Sequence, residues 1–214
     1  SEEDEKTSLQ DLIDGFDVHN ISLGGPVFHT SKLDWLNGRY LREELDVTQF
    51  LDAVKAWALN DTYLTPIAEM AQARITKLSD LGGLVGMFFM NRIDGITAEA
   101  LRDGVKIEQD QQRAAYTLAL QQFDGLIEWN KEGVEATLRR TAEVLDTKLK
   151  DVIRPMYIAI TGQPQGVPLF DAIVHLGRDI IRERLRHAME LLGPATKKEV
   201  ETWAALLTAP PKAE

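Results

Sequence analysis

Cysteine is absent from the 214-residue chain. Its absence excludes disulfides, thiolate metal sites and cysteine nucleophiles, and it suits the reducing cytoplasm. The histidines are scattered, and no two of them form an HxxxH pair: His19, His29, His175 and His187. We therefore expect no metal site, and we expect a cytoplasmic protein.

Long apolar runs are also missing. No stretch of about 18 apolar residues occurs, so we expect no membrane-spanning helix. The first ten residues, SEEDEKTSLQ, are acidic and polar. They contain neither the basic segment nor the apolar segment of a secretory signal peptide. The chain also begins without methionine, which suggests a piece of a longer protein.

Catalytic motifs are the third absence. The sequence contains no GxSxG nucleophile elbow, no Walker loop and no GxGxxG turn. Carboxylates are plentiful, with 34 Asp and Glu residues, but apolar surroundings single out no pair of them. On the residues alone, the chain is predicted to be an interaction domain rather than an enzyme.

The charge of the chain argues against one class of partner. The formal net charge is −10, and the phosphates of nucleic acid repel an acidic surface. Local sign matters more than the total, however, and the basic residues are clustered. On the residues alone, such clusters are most typical of solvated helix faces. The two clusters comprise Arg139, Arg140, Lys148, Lys150 and Arg154, then Arg178, Arg182, Arg184 and Arg186.

Helical periodicity runs through the chain, and no alternating β pattern of useful length interrupts it. Thr65 followed by Pro66 is typical of an N-cap and first helical residue, and Asn130 is predicted to cap another helix. Apolar residues at 3.6-residue spacing predict one amphipathic helix over 169–192. The fold class is therefore predicted to be all-α, with a division into two helical parts near 125–130.

Four stretches resemble one known family. KLDWLNGRYLRE (32–43) is similar to the K-L-x-W-x-N-G-x-Y-I-R signature of bacterial glutamyl-tRNA synthetases, and FDVHNISLGGPVF (16–28) resembles the approach to it. AEMAQARITKLSDL (68–81) resembles a later helix of the family. RPMYIAITGQPQGVPLFDAIVHLGRDIIRERLRHAM (154–189) resembles a further block around a T-G-x-x-x-x-P turn. The four stretches occur in the order and at the spacing of the family.

The resemblance implies a fold and a domain order. It implies a stem-contact helical segment over 1–46, followed by two helical anticodon-binding subdomains that form an α-helix cage. These subdomains would span 47–127 and 128–193, and a C-terminal helix with a loose tail would occupy 194–214.

The family's catalytic domain, with its HIGH-like and KMSK-like motifs, precedes this region and is not in the sequence. ATP and Mg²⁺ would bind in that missing half, so this chain alone is expected to hold no cofactor and to attach no glutamate. The implied partners are the tRNA for glutamate and the catalytic domain of the same polypeptide, and the protein is expected to be a monomer.

The first implied site lies in the 32–43 signature. The family places this segment against the inner corner of the L-shaped tRNA. Cations can meet phosphates there and an amide can bond the sugar, contacts that position RNA without reading its sequence. For Trp35, stacking on the RNA and bracing the helix against a core both stay open. The residues implied are Lys32, Trp35, Asn37 and Arg39.

The second implied site would read the anticodon. Gln72 stands where some family members carry Arg, at a position implicated in inspecting the last anticodon base. Glutamine both donates and accepts, so recognition of the tRNA for glutamine as well stays open. Tyr157 stands where the family usually has Arg, and Arg154 could supply the missing charge. For Arg74, an RNA contact and a scaffold role are both open. The residues implied are Gln72, Arg74, Tyr157, Thr161, Gly166, Val167 and Leu169.

A second hypothesis needs no RNA. A helical interaction module that descends from a synthetase but binds no tRNA would explain the net charge of −10 more simply. The retained Lys32, Asn37, Arg39 and Arg74 favour the first hypothesis, that of a tRNA-binding module.

Overall fold

All regular structure in the described chain is helical. The computed structural model describes residues 7–20, 24–25, 27 and 29–208. These ranges contain no β-strand, which confirms the predicted all-α class. The acidic residues 1–6 and the predicted loose tail from 209 onward lie outside the described residues. The α-helices of the described ranges are α1 Leu9–Asp14, α2 Thr30–Glu43, α3 Val47–Trp57, α4 Asp61–Gln72, α5 Leu81–Val85, α6 Ala98–Arg102, α7 Gln109–Gly125, α8 Lys131–Val144, α9 Leu149–Thr161, α10 Leu169–Leu192 and α11 Lys197–Thr208.

The chain divides into two compact units. Unit 1 is Ser1–Asn60 and contains α1, α2 and α3, none of which has a buried residue. Unit 2 is Asp61–Glu214 and contains α4 to α11 with the hydrophobic core. The finer division at 46, 127 and 193 stays a prediction.

Helix α7 is the centre of unit 2 and contacts α8, α9, α10 and α11. Ten of its 17 residues are buried, and its three alanines let neighbouring helices approach closely. Its buried polar groups are satisfied. The Tyr116 hydroxyl accepts from Gln112 Nε2 at 2.8 Å and donates to the Pro155 carbonyl at 3.0 Å, which ties α7 to α9.

Two predicted helix starts have opposite outcomes. The Asn130 side chain accepts from the Gly133 amide at 2.9 Å and caps α8, as predicted. The start at Thr65 and Pro66 is wrong, because α4 begins at Asp61 and Pro66 is its sixth residue. An internal proline removes one helical hydrogen bond. Buried Ile67 and its neighbours offset that loss by holding the helix against the core.

Helix α10 has the predicted bounds but is not one straight helix. Gly177 has φ 79° and ψ 164°, outside the helical region, and divides α10 into two arms. A Cβ built at Gly177 would have no atom within 4 Å. The backbone angle rather than space therefore requires glycine here.

Arg184, in the second arm of α10, is the largest fully buried side chain in the described residues and is 1% exposed. No carboxylate faces it within those residues. Its guanidinium donates instead to the carbonyls of Ile160 at the end of α9 and of Met87, Met90 and Asn91 in the segment after α5. Burial lowers the pKa of Arg184 to about 10, so the group is still charged at pH 7. The solvated face predicted for this basic cluster is therefore wrong at Arg184.

Replacing Arg184 with methionine should destabilise the chain by about 2–4 kcal/mol, because several buried carbonyls lose their donor. The free energy of unfolding in urea, followed by circular dichroism, measures the loss. Arg186→Met is the matched control, since Arg186 is exposed two residues further along the same arm. Equal stability of the two variants would contradict the role assigned to Arg184.

Candidate functional site

The implied RNA-facing residues of unit 1 lie on α2. Lys32 and Asn37 are exposed, and Trp35 is 37% exposed. The Arg39 guanidinium lies 5.3 Å from the centre of the Trp35 ring, and its Nε donates to Glu43 Oε1 at 3.0 Å. Within unit 1, Trp35 therefore packs on a cation rather than in a core. Arg39 shares its charge with a carboxylate one turn along the same helix.

In unit 2, the turn after α9 is held closed by its own side chains. Gly162 ends α9 with φ 74°, and a Cβ there would lie 2.5 Å from the Ile93 side chain, so the position admits only glycine. The Thr161 hydroxyl donates to the Tyr157 carbonyl at 2.8 Å. The Tyr157 hydroxyl donates to the Val167 carbonyl at 2.7 Å, and burial raises the pKa of Tyr157, which keeps this donor protonated.

The same turn is tied to three other parts of unit 2. Arg74 Nε, beyond the end of α4, donates to the Gly166 carbonyl at 2.8 Å. Gln163 Nε2 donates to the Gly83 carbonyl at 2.6 Å. Arg154 Nη1 donates to the Pro164 carbonyl at 2.8 Å and also bonds Asp103. The two stretches of the second implied site are thus brought together, and Arg74 is a direct link between them.

The side chains differ in what they can offer a ligand. Thr161, Val167 and Leu169 are buried, so only their backbone groups could be presented. Gln72 is exposed at the last position of α4, and its amide has no hydrogen-bond partner in the part of the chain that the structure describes. Among the residues of the second implied site, Gln72 therefore has a side-chain donor and a side-chain acceptor that are both available to a ligand.

A cleft of about 440 Å³ opens beside Arg74. Pro66 and Met70 of α4 form one wall, and Pro168 and Val174 lie at the start of α10. Its polar lining includes Glu69 and the pair in which Lys131 Nζ lies 2.9 Å from Asp171 Oδ2. Among the described residues, no group of three or more His, Asp or Glu is placed to hold a metal ion. No described helix is both long and apolar enough to cross a membrane.

Residues 49–189, more than half of the chain, match the sequence profile described as "Anticodon binding domain". The chain belongs to this anticodon-binding domain family. The matched range includes α4, α9, the 161–169 turn and most of α10.

Named relatives of this anticodon-binding chain are longer than it is. Glutamate–tRNA ligase of Pseudomonas fluorescens (strain Pf0-1) is 41% identical over 209 residues, which are 97% of this chain and 42% of the relative. Glutamate–tRNA ligase of Stutzerimonas stutzeri (strain A1501) is 42% identical over 208 residues, with coverage of 97% and 42%. The chain thus spans less than half the length of these relatives.

A solved structure has a similar fold. The crystal structure of a glutamate tRNA ligase from Elizabethkingia meningosepticum CCUG26117, in complex with its amino acid, superposes with a TM-score of 0.53 at 20% identity. The match covers 87% of this chain and 37% of that one. At this identity the likeness establishes the fold alone, and it agrees with the helical architecture of the anticodon-binding family.

Sequence reasoning about the anticodon-binding chain missed Gln163, Glu69 and Lys131. Gln163 lies in a turn rich in Gly and Pro, where nothing in the sequence marks its bond to distant Gly83. Lys131 and Asp171 are 40 residues apart, so their pairing follows only from the packing of α8 on α10.

Replacing Arg74 with alanine should loosen the 161–169 turn, because the Gly166 carbonyl loses its donor. Loss of about one hydrogen bond predicts roughly fivefold faster amide hydrogen exchange in residues 163–168. Mass spectrometry of exchanged peptides measures this rate. Arg139→Ala, which removes an exposed arginine paired within its own helix, should leave the exchange unchanged. Equal exchange in both variants would refute the link.

His175 should make stability depend on pH. Its ring lies against Tyr63 and Phe88, its Nε2 has no partner among the described residues, and burial lowers its pKa below 6.5. As pH falls through 6.5, the unfolded chain takes up a proton before the folded chain does, so stability falls. Urea midpoints at pH 7.5 and 5.5 test this.

The variant His175→Phe should flatten that dependence between pH 7.5 and 5.5, since the ring contacts stay and the titrating group is lost. His19→Gln, which removes an exposed histidine, should keep it. An unchanged slope in His175→Phe would show that another group is responsible.

Proposed function

We propose that this chain is the tRNA-recognising part of a glutamate–tRNA ligase and that it binds the tRNA for glutamate. Membership of the anticodon-binding family and the similarity to glutamate–tRNA ligases support this. Attachment of glutamate with ATP and Mg²⁺ is assigned to the remaining length of the longer polypeptide. We propose a cytoplasmic location and a monomer for that protein.

The bond from Arg74 to the Gly166 carbonyl is the observation that carries the proposal. It joins the end of α4 to the 161–169 turn, two stretches 92 residues apart for which the family resemblance implies one task. Anticodon bases are unstacked, and proteins read such bases by hydrogen bonding and stacking on their exposed edges. A fixed turn suits this task, because its backbone does not have to be ordered on binding.

Gln72 is proposed to inspect one anticodon base. Its amide offers both a donor and an acceptor and can rotate to suit either arrangement on a base edge. We therefore expect the chain to accept the tRNA for glutamine as well as that for glutamate, with modest preference between them.

Helix α2 is proposed to contact the tRNA backbone. Lys32, Asn37 and Arg39 are suited to phosphate and sugar oxygens, and the Trp35 ring offers a stacking face beside Arg39. These contacts would hold the RNA in place without distinguishing sequences.

The chain should bind a glutamate tRNA transcript in fluorescence anisotropy at low salt and less tightly at moderate salt. A glutamate tRNA transcript whose anticodon has been exchanged for another should bind more weakly than the intact transcript. In Gln72→Ala the preference for the correct anticodon should fall by about fivefold, the value of one hydrogen bond. Run in parallel, a glutamine tRNA transcript measures how strict the reading is.

Lys32→Ala is the matched control, because it should weaken both transcripts by the same factor and leave the preference unchanged. Equal binding of the wild-type chain to all transcripts would remove anticodon reading from the proposal. Failure to bind any transcript at low salt would favour the interaction module without RNA, for which family membership gives no support.

A further inference from the structure

We propose that the cleft bordered by Glu69, Lys131 and Pro168 is a subsite that receives one unstacked nucleobase of the bound RNA. The inference rests on the proposed function, since it names where one base of the recognised loop is held. It adds Glu69 and the Lys131–Asp171 pair to the residues that act in recognition.

The position of the cleft is the first observation that supports the subsite. Its lining includes Arg74 from one recognition stretch and Pro168 from the other. A nucleotide that contacts the Gly166 turn is therefore within reach of the cleft mouth, because Arg74 bonds Gly166 and lines the cleft at once.

The size and lining of the cleft also suit a nucleobase. Its volume of about 440 Å³ falls in the range of roughly 300–1,000 Å³ that is usual for small-ligand sites. Its apolar and aromatic lining consists of Pro66, Met70, Pro168, Val174 and His175. A flat heterocycle can pack its faces against such walls in place of its neighbours in the stack.

The charged side chains of the cleft favour an uncharged ligand over a phosphate. Lys131 and Asp171 neutralise each other at 2.9 Å, so they offer little net attraction for a free anion. Glu69 has no ion pair among the described residues, and its carboxylate only accepts hydrogen bonds. The Arg74 guanidinium only donates. An uncharged ring that carries both N–H groups and carbonyl oxygens matches this lining better than a phosphate does.

A double-mutant cycle between the protein and an anticodon stem-loop RNA tests the subsite. Glu69→Trp would fill the cleft mouth without touching the core, because Glu69 is exposed. Glu99→Trp is the matched control, since it makes the same change at an exposed position on α6. The RNAs are the intact stem-loop and three versions that each lack one anticodon base.

Glu69→Trp should bind the intact RNA on the order of tenfold more weakly, and Glu99→Trp should bind it as the wild type does. The penalty should vanish with the one RNA that lacks the base held in the cleft and should persist with the other two. Glu69→Gln should give a smaller loss at the same base.

Full-strength binding by Glu69→Trp would overturn the subsite, and so would an equal penalty with all three abasic RNAs. Either result leaves the proposed function standing if the wild-type chain binds the intact stem-loop and prefers the correct anticodon. Absence of binding by the wild type would overturn the proposed function and the subsite with it.

Discussion

The guanidinium of Arg184 holds together the part of unit 2 on which the candidate site stands. A buried cation without a carboxylate is costly, and it is stable here because backbone carbonyls from two segments converge on it. One of them is the Ile160 carbonyl, in the last turn of α9, which has no amide partner within its own helix. Arg184 therefore bonds the end of α9 and a loop at once, and the Ile160 carbonyl that it bonds lies one residue before the 161–169 turn.

The 161–169 turn is also held by side chains from outside it, which donate to its backbone carbonyls as Arg184 does to others. Arg74, Arg154 and Tyr157 each bond a carbonyl between 164 and 167. Such bonds fix the backbone but use donors that an RNA ligand would otherwise attract. For the proposed recognition, the Gln72 side-chain amide and the lining of the neighbouring cleft stay available. Preorganisation is thereby obtained at the expense of free positive charge.

The sequence was informative wherever the determining interaction is local. Asn130 caps its helix through a contact three residues away, and the range of α10 follows from the spacing of its apolar residues. It was uninformative where tertiary packing decides. The sequence predicts a helix start at Thr65 and Pro66, but core contacts let α4 begin earlier and continue through Pro66. Arg184 belongs to a basic cluster that reads as solvated, and only the converging carbonyls make its burial possible. The cleft lining depends on pairs such as Lys131 and Asp171 that no local pattern marks.

The net charge of −10 bears on the kind of RNA contact that unit 2 can make. Two cations of the basic cluster on α10 are engaged within the fold, since Arg182 bonds Asp124 and Arg184 is buried. On α8, Arg139 pairs with Glu135. These three cations are therefore poorly available to phosphates, and their pairing leaves the formal charge of −10 unchanged, because that sum already counts both partners of each pair. Under the proposed function, recognition by unit 2 therefore rests more on hydrogen bonds and stacking at the turn and cleft than on release of counterions. An acidic chain can read a base in that way, because specificity of this kind depends on the chemistry of a few neutral edges rather than on the total charge.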